Sequence, residues 1–184
     1  MNKYKVTLGL FICFGLAFVI WSMTEISQSF DEPLEALQHT KHDLEVVIPA
    51  YKINDEALFF FIDQKNHLGT AFLKEGIYGW KAGSISTNPL EDRQAESELL
   101  NYHFYGNSMI YGLLSDEKGS LEVKINGAEA RTLQVGGMLE KEIAQKYNLQ
   151  NTVLWYFQQD ELVPEGGEVE LLQDNVKLVD EKGF

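Results

Sequence analysis

Residues Val6 to Met23 read VTLGLFICFGLAFVIWSM, a run of eighteen residues without a charge. An amphipathic helix on a soluble core shows a polar stripe. Here only Thr7 and Ser22 are polar, one near each end. At a rise of about 1.5 Å per residue the run spans roughly 27 Å, close to the hydrocarbon thickness of a bilayer. A chain in lipid has to satisfy its own backbone, so the pattern predicts a transmembrane helix over 6–23. Trp21 suits the headgroup level. A cleaved signal peptide is the rival reading, but its apolar core is shorter and ends in small residues, whereas Ser22-Met23-Thr24 is a poor cleavage site. Cys13 follows Phe11 and Ile12, so it does not sit in a lipobox.

Beyond a short linker, 24–30, the pattern changes. Ser29 to Leu44 reads as an amphipathic helix, with Ser29 and Glu32 as a capping box, Pro33 in the first turn and a stripe of Leu34, Leu37, Lys41 and Leu44. The period then becomes two. Val46–Ile53, Ala57–Ile62, Gly69–Leu73 and Tyr78–Ala82 are short runs rich in aromatic and β-branched residues. Charged turns at Asp63–His67 and Lys74-Glu75-Gly76 set the last three at hairpin spacing. Leu58 to Ile62, LFFFI, is apolar on both faces and predicts a central strand covered on both sides. Asn88 to Leu100 reads equally as a helix start or a boundary, and a subdivision of the domain near Asn88 is compatible with it.

Strand signals resume at Met109–Leu114, Leu121–Ile125 and Ala128–Val135, with Asn126-Gly127 as the strongest hairpin turn in the chain. Leu139, Ile143 and Tyr147 recur at four, which predicts a helix over Met138–Tyr147 after the Gly136-Gly137 turn. Val153–Phe157, Val169–Leu172 and Val176–Val179 complete the strands, with Gly166-Gly167 as a turn. The expected fold class is α+β, mostly antiparallel β. It has an N-terminal transmembrane helix, then a meander-rich domain over 31–184 with two or three short helices.

Charge orients this arrangement. Lys3 and Lys5 precede the apolar run, and Glu25, Asp31, Glu32 and Glu35 follow it. The positive-inside rule puts residues 1–5 in the cytoplasm and the domain outside, as a single-pass signal anchor in the cell membrane. All twenty-eight acidic residues lie after Met23, against thirteen of the fifteen basic ones, so the exterior carries a formal charge of −15. That charge argues against nucleic acid as a partner. Cys13 is the only cysteine, so the exterior holds no disulfide and no thiol chemistry, which fits a bacterial envelope protein.

Motifs for chemistry are sparse. Glu35, His39 and His42 share one side of the expected helix, opposite the leucine stripe, but without further ligands they read as a solvated face, and no metal or cofactor is expected. His67 falls in a turn and His103 in an aromatic stretch. Gly83-Ser84 and Gly119-Ser120 lack the nucleophile-elbow pattern. Asp116-Glu117 and Asp160-Glu161 are adjacent carboxylates that point to opposite faces of a strand. Gly76-x-x-Gly79 and Gly136-Gly137 lack a phosphate-loop lysine. Large aromatics on strands, Trp80, Trp155 and Tyr156, are the candidate ligand or interface residues, with core packing as their alternative role.

The stretch EALFFFIDQKNHLGTAFLKEGIYGWKAGS, Glu56 to Ser84, resembles a pattern in small secreted or membrane-anchored proteins of Gram-positive bacilli. There an apolar strand, a charged turn, an "LGVAFLKK" strand and a "GWKW" strand often follow a proline-led helix like Glu32–Leu37. IYGLLS, Ile110 to Ser115, and VKINGAEA, Val123 to Ala130, resemble their second β segment. Ala82 stands where a second Trp is common. The resemblance implies an envelope location and carries no activity. The function expected on these grounds is a non-enzymatic binding or interaction module outside the membrane, with an unidentified protein or small-ligand partner. The alternative is an envelope-acting hydrolase with dispersed catalytic residues.

Overall fold

Twelve strands in three antiparallel sheets are the frame of the computed structural model, which describes residues 3–90, 102–106, 108–116, 121–159, 167–174 and 176–182. Side chains are described from Ile12 in the first helix and as far as Leu178 in the last strand. The fold is mostly antiparallel β with a few short helices.

Helix α1 runs from Lys3 to Ser27, through the apolar run and most of the expected linker. Its described apolar side chains face outward all round, with Phe14 73% and Ile20 65% exposed. Among residues with described side chains, no helix is long and apolar enough to cross a membrane.

The linker is not free chain. Phe30 forms an antiparallel bridge with Trp80, its N–H donating to the Trp80 carbonyl at 3.0 Å and its carbonyl accepting from the Trp80 N–H at 2.7 Å. Helix α2 is shorter than the expected Ser29–Leu44, spanning Pro33–Thr40. Ser29 caps nothing ahead of it; its hydroxyl donates back to the Glu25 carbonyl. Leu44 belongs instead to β1 (Leu44–Ile53), where the Val46-Val47-Ile48 run gains more from ladder pairing than from a further helical turn. The buried face of α2 is therefore Pro33, Ala36 and Leu37, and Leu34 is exposed.

Sheet A is the expected meander, β1, β2 (Glu56–Asp63), β3 (His67–Gly76) and β4 (Gly79–Pro89) in that order. Its last hairpin differs from expectation. Gly76 pairs with Gly79, so the turn is Ile77-Tyr78 rather than Lys74-Glu75-Gly76. Gly79 takes φ +119, and a Cβ there would stand 2.5 Å from the Phe30 carbonyl oxygen. Only glycine lets the linker approach so closely.

Sheet B is ordered β5 (Tyr102–Tyr105), β6 (Met109–Ser115), β10 (Thr152–Gln158), β9 (Arg131–Gln134). Sheet C is ordered β12 (Val176–Lys182), β11 (Glu168–Gln173), β7 (Leu121–Ile125), β8 (Ala128–Glu129). The run Ala128–Val135 is thus two strands in two sheets. The Asn126-Gly127 turn holds β8 on β7, and after the buried Ala130 the chain crosses to β10. The expected helix Met138–Tyr147 is shortened to α4 (Lys141–Lys146), and a separate single turn of helix, α3 (Val135–Met138), precedes it, so Gly136-Gly137 is helical rather than a turn. Strand β5 had no separate expectation. Asn88 and Pro89 do not start a helix but end β4; the rest of the stretch to Leu100, from 91, lies outside the described residues, as does Gly166.

Alternation then builds the layers. Leu58, Phe60 and Ile62 of β2 meet Met109, Tyr111, Leu113, Leu154 and Tyr156 between sheets A and B. The intervening Ala57, Phe59 and Phe61 pack under α2 with Leu37 and Trp80. Ile110, Leu114, Trp155 and Phe157 point the other way, onto Val123, Ile125, Val169 and Leu171 of sheet C. The order is helix, sheet, sheet, sheet. The central strands β2, β6 and β10 are apolar on both faces because each lies between two layers.

Candidate functional site

The three aromatics singled out from the sequence are all interior. Trp80 is 1% exposed, Trp155 1% and Tyr156 2%. Trp80 packs beneath α2, and the Lys52 ammonium lies 5.2 Å from its ring centroid. Trp155 covers Gly112, its cross-strand partner, where a Cβ would meet the indole Nε1 at 2.9 Å. Tyr156 faces the opposite layer, 5.5 Å from Phe60. Adjacent positions on one strand point to opposite faces, so Trp155 and Tyr156 do not share a site.

Tyr156 does contribute to a cleft of about 330 Å³ at one end of the A–B sandwich. The β1–β2 turn, Asn54-Asp55, forms one wall, and β9 with the end of β10 forms the other. Tyr51, Ile53 and Phe157 supply apolar surface; Glu56, Glu129 and Arg131 supply charge. The Tyr51 hydroxyl donates to Gln158 Oε1 at 3.1 Å, tying the two sheets at the cleft. Burial raises the Tyr51 pKa despite that hydrogen bond, so the phenol stays a neutral donor at physiological pH. Asp55 and Glu56 lie 3.7 Å and 3.9 Å from Lys74 Nζ, so part of the acidic charge is already balanced.

A second polar cluster closes the other end of sheet A. Asp63 has a side chain only 1% exposed. Its Oδ1 accepts from the N–H groups of Lys65 and His67 at 2.9 Å and 3.0 Å; its Oδ2 accepts from Lys41 Nζ at 3.1 Å and lies 3.3 Å from His67 Nδ1. Burial opposes ionisation, but the His67 amide, the Lys41 ammonium and the Lys65 amide outweigh it, and the Asp63 pKa is lowered. Partial burial likewise opposes the charge on Lys41, yet its hydrogen bonds to Asp43 and Asp63 raise its pKa. Each of these groups is engaged in shaping the β2–β3 turn, so the cluster is a strut. The sequence marked Asp63 only as the start of a turn; an Asp two residues ahead of a turn amide is its readable signal.

The helix-face trio does not assemble. His42 lies beyond α2, where helical spacing no longer applies. His39 rests on Phe30 at 4.8 Å between ring centroids, with His42 a further 6.0 Å from His39. Among the described residues, no group of three or more His, Cys, Asp or Glu is placed to hold a metal ion. His103 packs against Tyr111 at 5.5 Å between ring centroids.

A third locus joins helix and domain. The Tyr78 hydroxyl lies 3.3 Å from Ser22 Oγ, its ring meets Trp21 edge-on at 6.4 Å, and Lys81 pairs with Glu25. Compared with known proteins, the chain matches no family model, no curated protein and no solved structure.

Proposed function

We propose that this protein is a single-pass membrane protein that holds a rigid, β-rich binding module outside the cell, with the cleft beside Tyr51 and Arg131 as its binding site. The observation that carries the anchor is the uncharged run within α1, whose described apolar side chains, from Ile12 on, are about half to three-quarters exposed. Basic residues before the run and acidic residues after it favour a cytoplasmic N-terminus. The cleft supports the binding role: it is concave, framed by two sheets, and sets apolar surface from Tyr51, Ile53 and Phe157 within a mostly polar lining that includes a guanidinium. Its ligand is a protein segment or a small molecule, and nucleic acid is disfavoured by the acidic exterior.

The test has two arms in living cells. Protease added to intact protoplasts is expected to digest the domain; full protection would overturn the orientation. A photo-crosslinking residue at Ile53, exposed on the cleft wall, is expected to trap a partner that the same residue at Val176, on sheet C, does not. Equal trapping from both positions, or none from Ile53, would remove the cleft as the binding site.

A further inference from the structure

The β3–β4 hairpin ends in two apolar residues, of which Tyr78 leans edge-on against Trp21 and Ile77 stands almost fully exposed. Ile77 is 91% exposed and Tyr78 36%. The other hairpin tips carry, among the described residues, Asn54-Asp55, Gln64-Lys65-Asn66, Gly106 with Ser108, Asn126-Gly127 and Asp174, with no apolar side chain at any of them. At Ile77-Tyr78 the positive φ falls on the following Gly79, so the two tip side chains are not needed for turn chemistry. A tip of this composition suits a non-aqueous neighbour.

Its position says which one. The tip stands beside Trp21 and Ser22, within the last turn of the apolar run that closes at Met23. Where α1 crosses a bilayer, that level is the membrane–water boundary, the depth at which Trp and Tyr rings gather. The Lys81–Glu25 pair joins hairpin to helix and the Phe30–Trp80 bridge ties the hairpin to the chain just after it, which holds the tip near this depth. Met23 and Ile26, on the same stretch of α1, are also exposed. We infer that the Ile77-Tyr78 tip inserts into the interfacial layer of the same bilayer that α1 spans, as a second membrane contact that fixes how the domain sits on the membrane. The inference rests on the anchor reading of α1. The domain's acidity directs it to uncharged phospholipid rather than to anionic headgroups.

The full chain provides its own test, because Cys13 is the only cysteine. In a Cys13→Ser background, single cysteines at Ile77, at Leu16 and at Lys65, exposed in the turn at the opposite end of sheet A, are labelled with an environment-sensitive fluorophore. Each protein is placed in phosphatidylcholine vesicles carrying a spin-label quencher at shallow or deep acyl positions. The Ile77 label is expected to be quenched several-fold more by the shallow quencher than the Lys65 label, and more by the shallow than by the deep one. An Ile77 label that behaves like the Lys65 label, while the Leu16 label is quenched from the deep position, overturns the hairpin contact and leaves the anchor standing. A Leu16 label untouched by either quencher overturns the anchor, and the hairpin inference with it. A tip quenched mainly from the deep position overturns the interfacial depth.

Discussion

Asp63 shows how a single side chain can organise a turn. A buried carboxylate without partners would cost several kcal/mol, so its four short contacts are the condition of its being there. Replacing it by Asn keeps one acceptor and removes the charge that Lys41 faces; the expected loss is about 1–3 kcal/mol at neutral pH. Because the folded-state pKa is lowered, the stabilisation is complete above the ordinary value of 3.8 and declines as pH falls through the lower folded value. The gap in melting temperature between wild type and Asp63→Asn is therefore expected to narrow below that pH. Thermal unfolding in detergent micelles, scanned over acidic pH, checks this; a gap that stays constant to the lowest pH would contradict it.

Elements here are short and depend on their neighbours. An isolated helix of the length of α2, eight residues, is unstable in water, so it exists because Ala36 and Leu37, both fully buried, close the outer face of sheet A. The β7–β8 hairpin is more self-sufficient. Asn126 at φ 51 and Gly127 at φ 79 form the two left-handed positions that match the twist of the strands. Asn126 also ties the turn to β11: its N–H donates to the Glu168 carbonyl at 2.9 Å, and its Oδ1 accepts the Glu168 N–H at 2.8 Å. Asn126→Ala loses both the tolerance for positive φ and the side-chain acceptor, an expected cost of about 1–2 kcal/mol. Asn126→Gly keeps the backbone freedom and is expected to cost less. Melting temperatures of the two variants decide it, and equal values would show that backbone freedom at this position contributes nothing.

At the scale of the molecule, each central strand belongs to two cores. Phe60 touches Tyr111 and Tyr156 across the A–B layer, at 5.4 Å and 5.5 Å between ring centroids, while its neighbours Phe59 and Phe61 pack under α2. Loosening one layer therefore disturbs the next, and the layers are expected to unfold as one unit. Trp80 and Trp155 lie in the two outer cores and report on them separately. With Trp21 changed to Phe and one or other indole retained, the two melting curves are expected to coincide. Phe60→Ala is expected to shift both equally, by the several degrees that about 3–5 kcal/mol implies for a domain of this size. Two separated transitions would show independent layers.

Local pattern was enough for what depends on neighbouring residues. LFFFI announced a strand buried on both faces, Asn126-Gly127 announced a hairpin, and the uncharged run with its charged flanks announced the helix of α1, because periodicity and turn chemistry act over a few positions. Choices between distant partners lay outside that range. Leu44 left its helical stripe for a ladder with Asp63, and Ala128–Val135 split between two sheets once β7 and β10 each offered an edge. Trp155 and Tyr156 are buried because layers on both sides of β10 cover them, and Ile77-Tyr78 became a tip because the register of β3 on β4 placed the reversal there. Burial and register are set by the whole set of layers closing together, and no window of the chain contains that information.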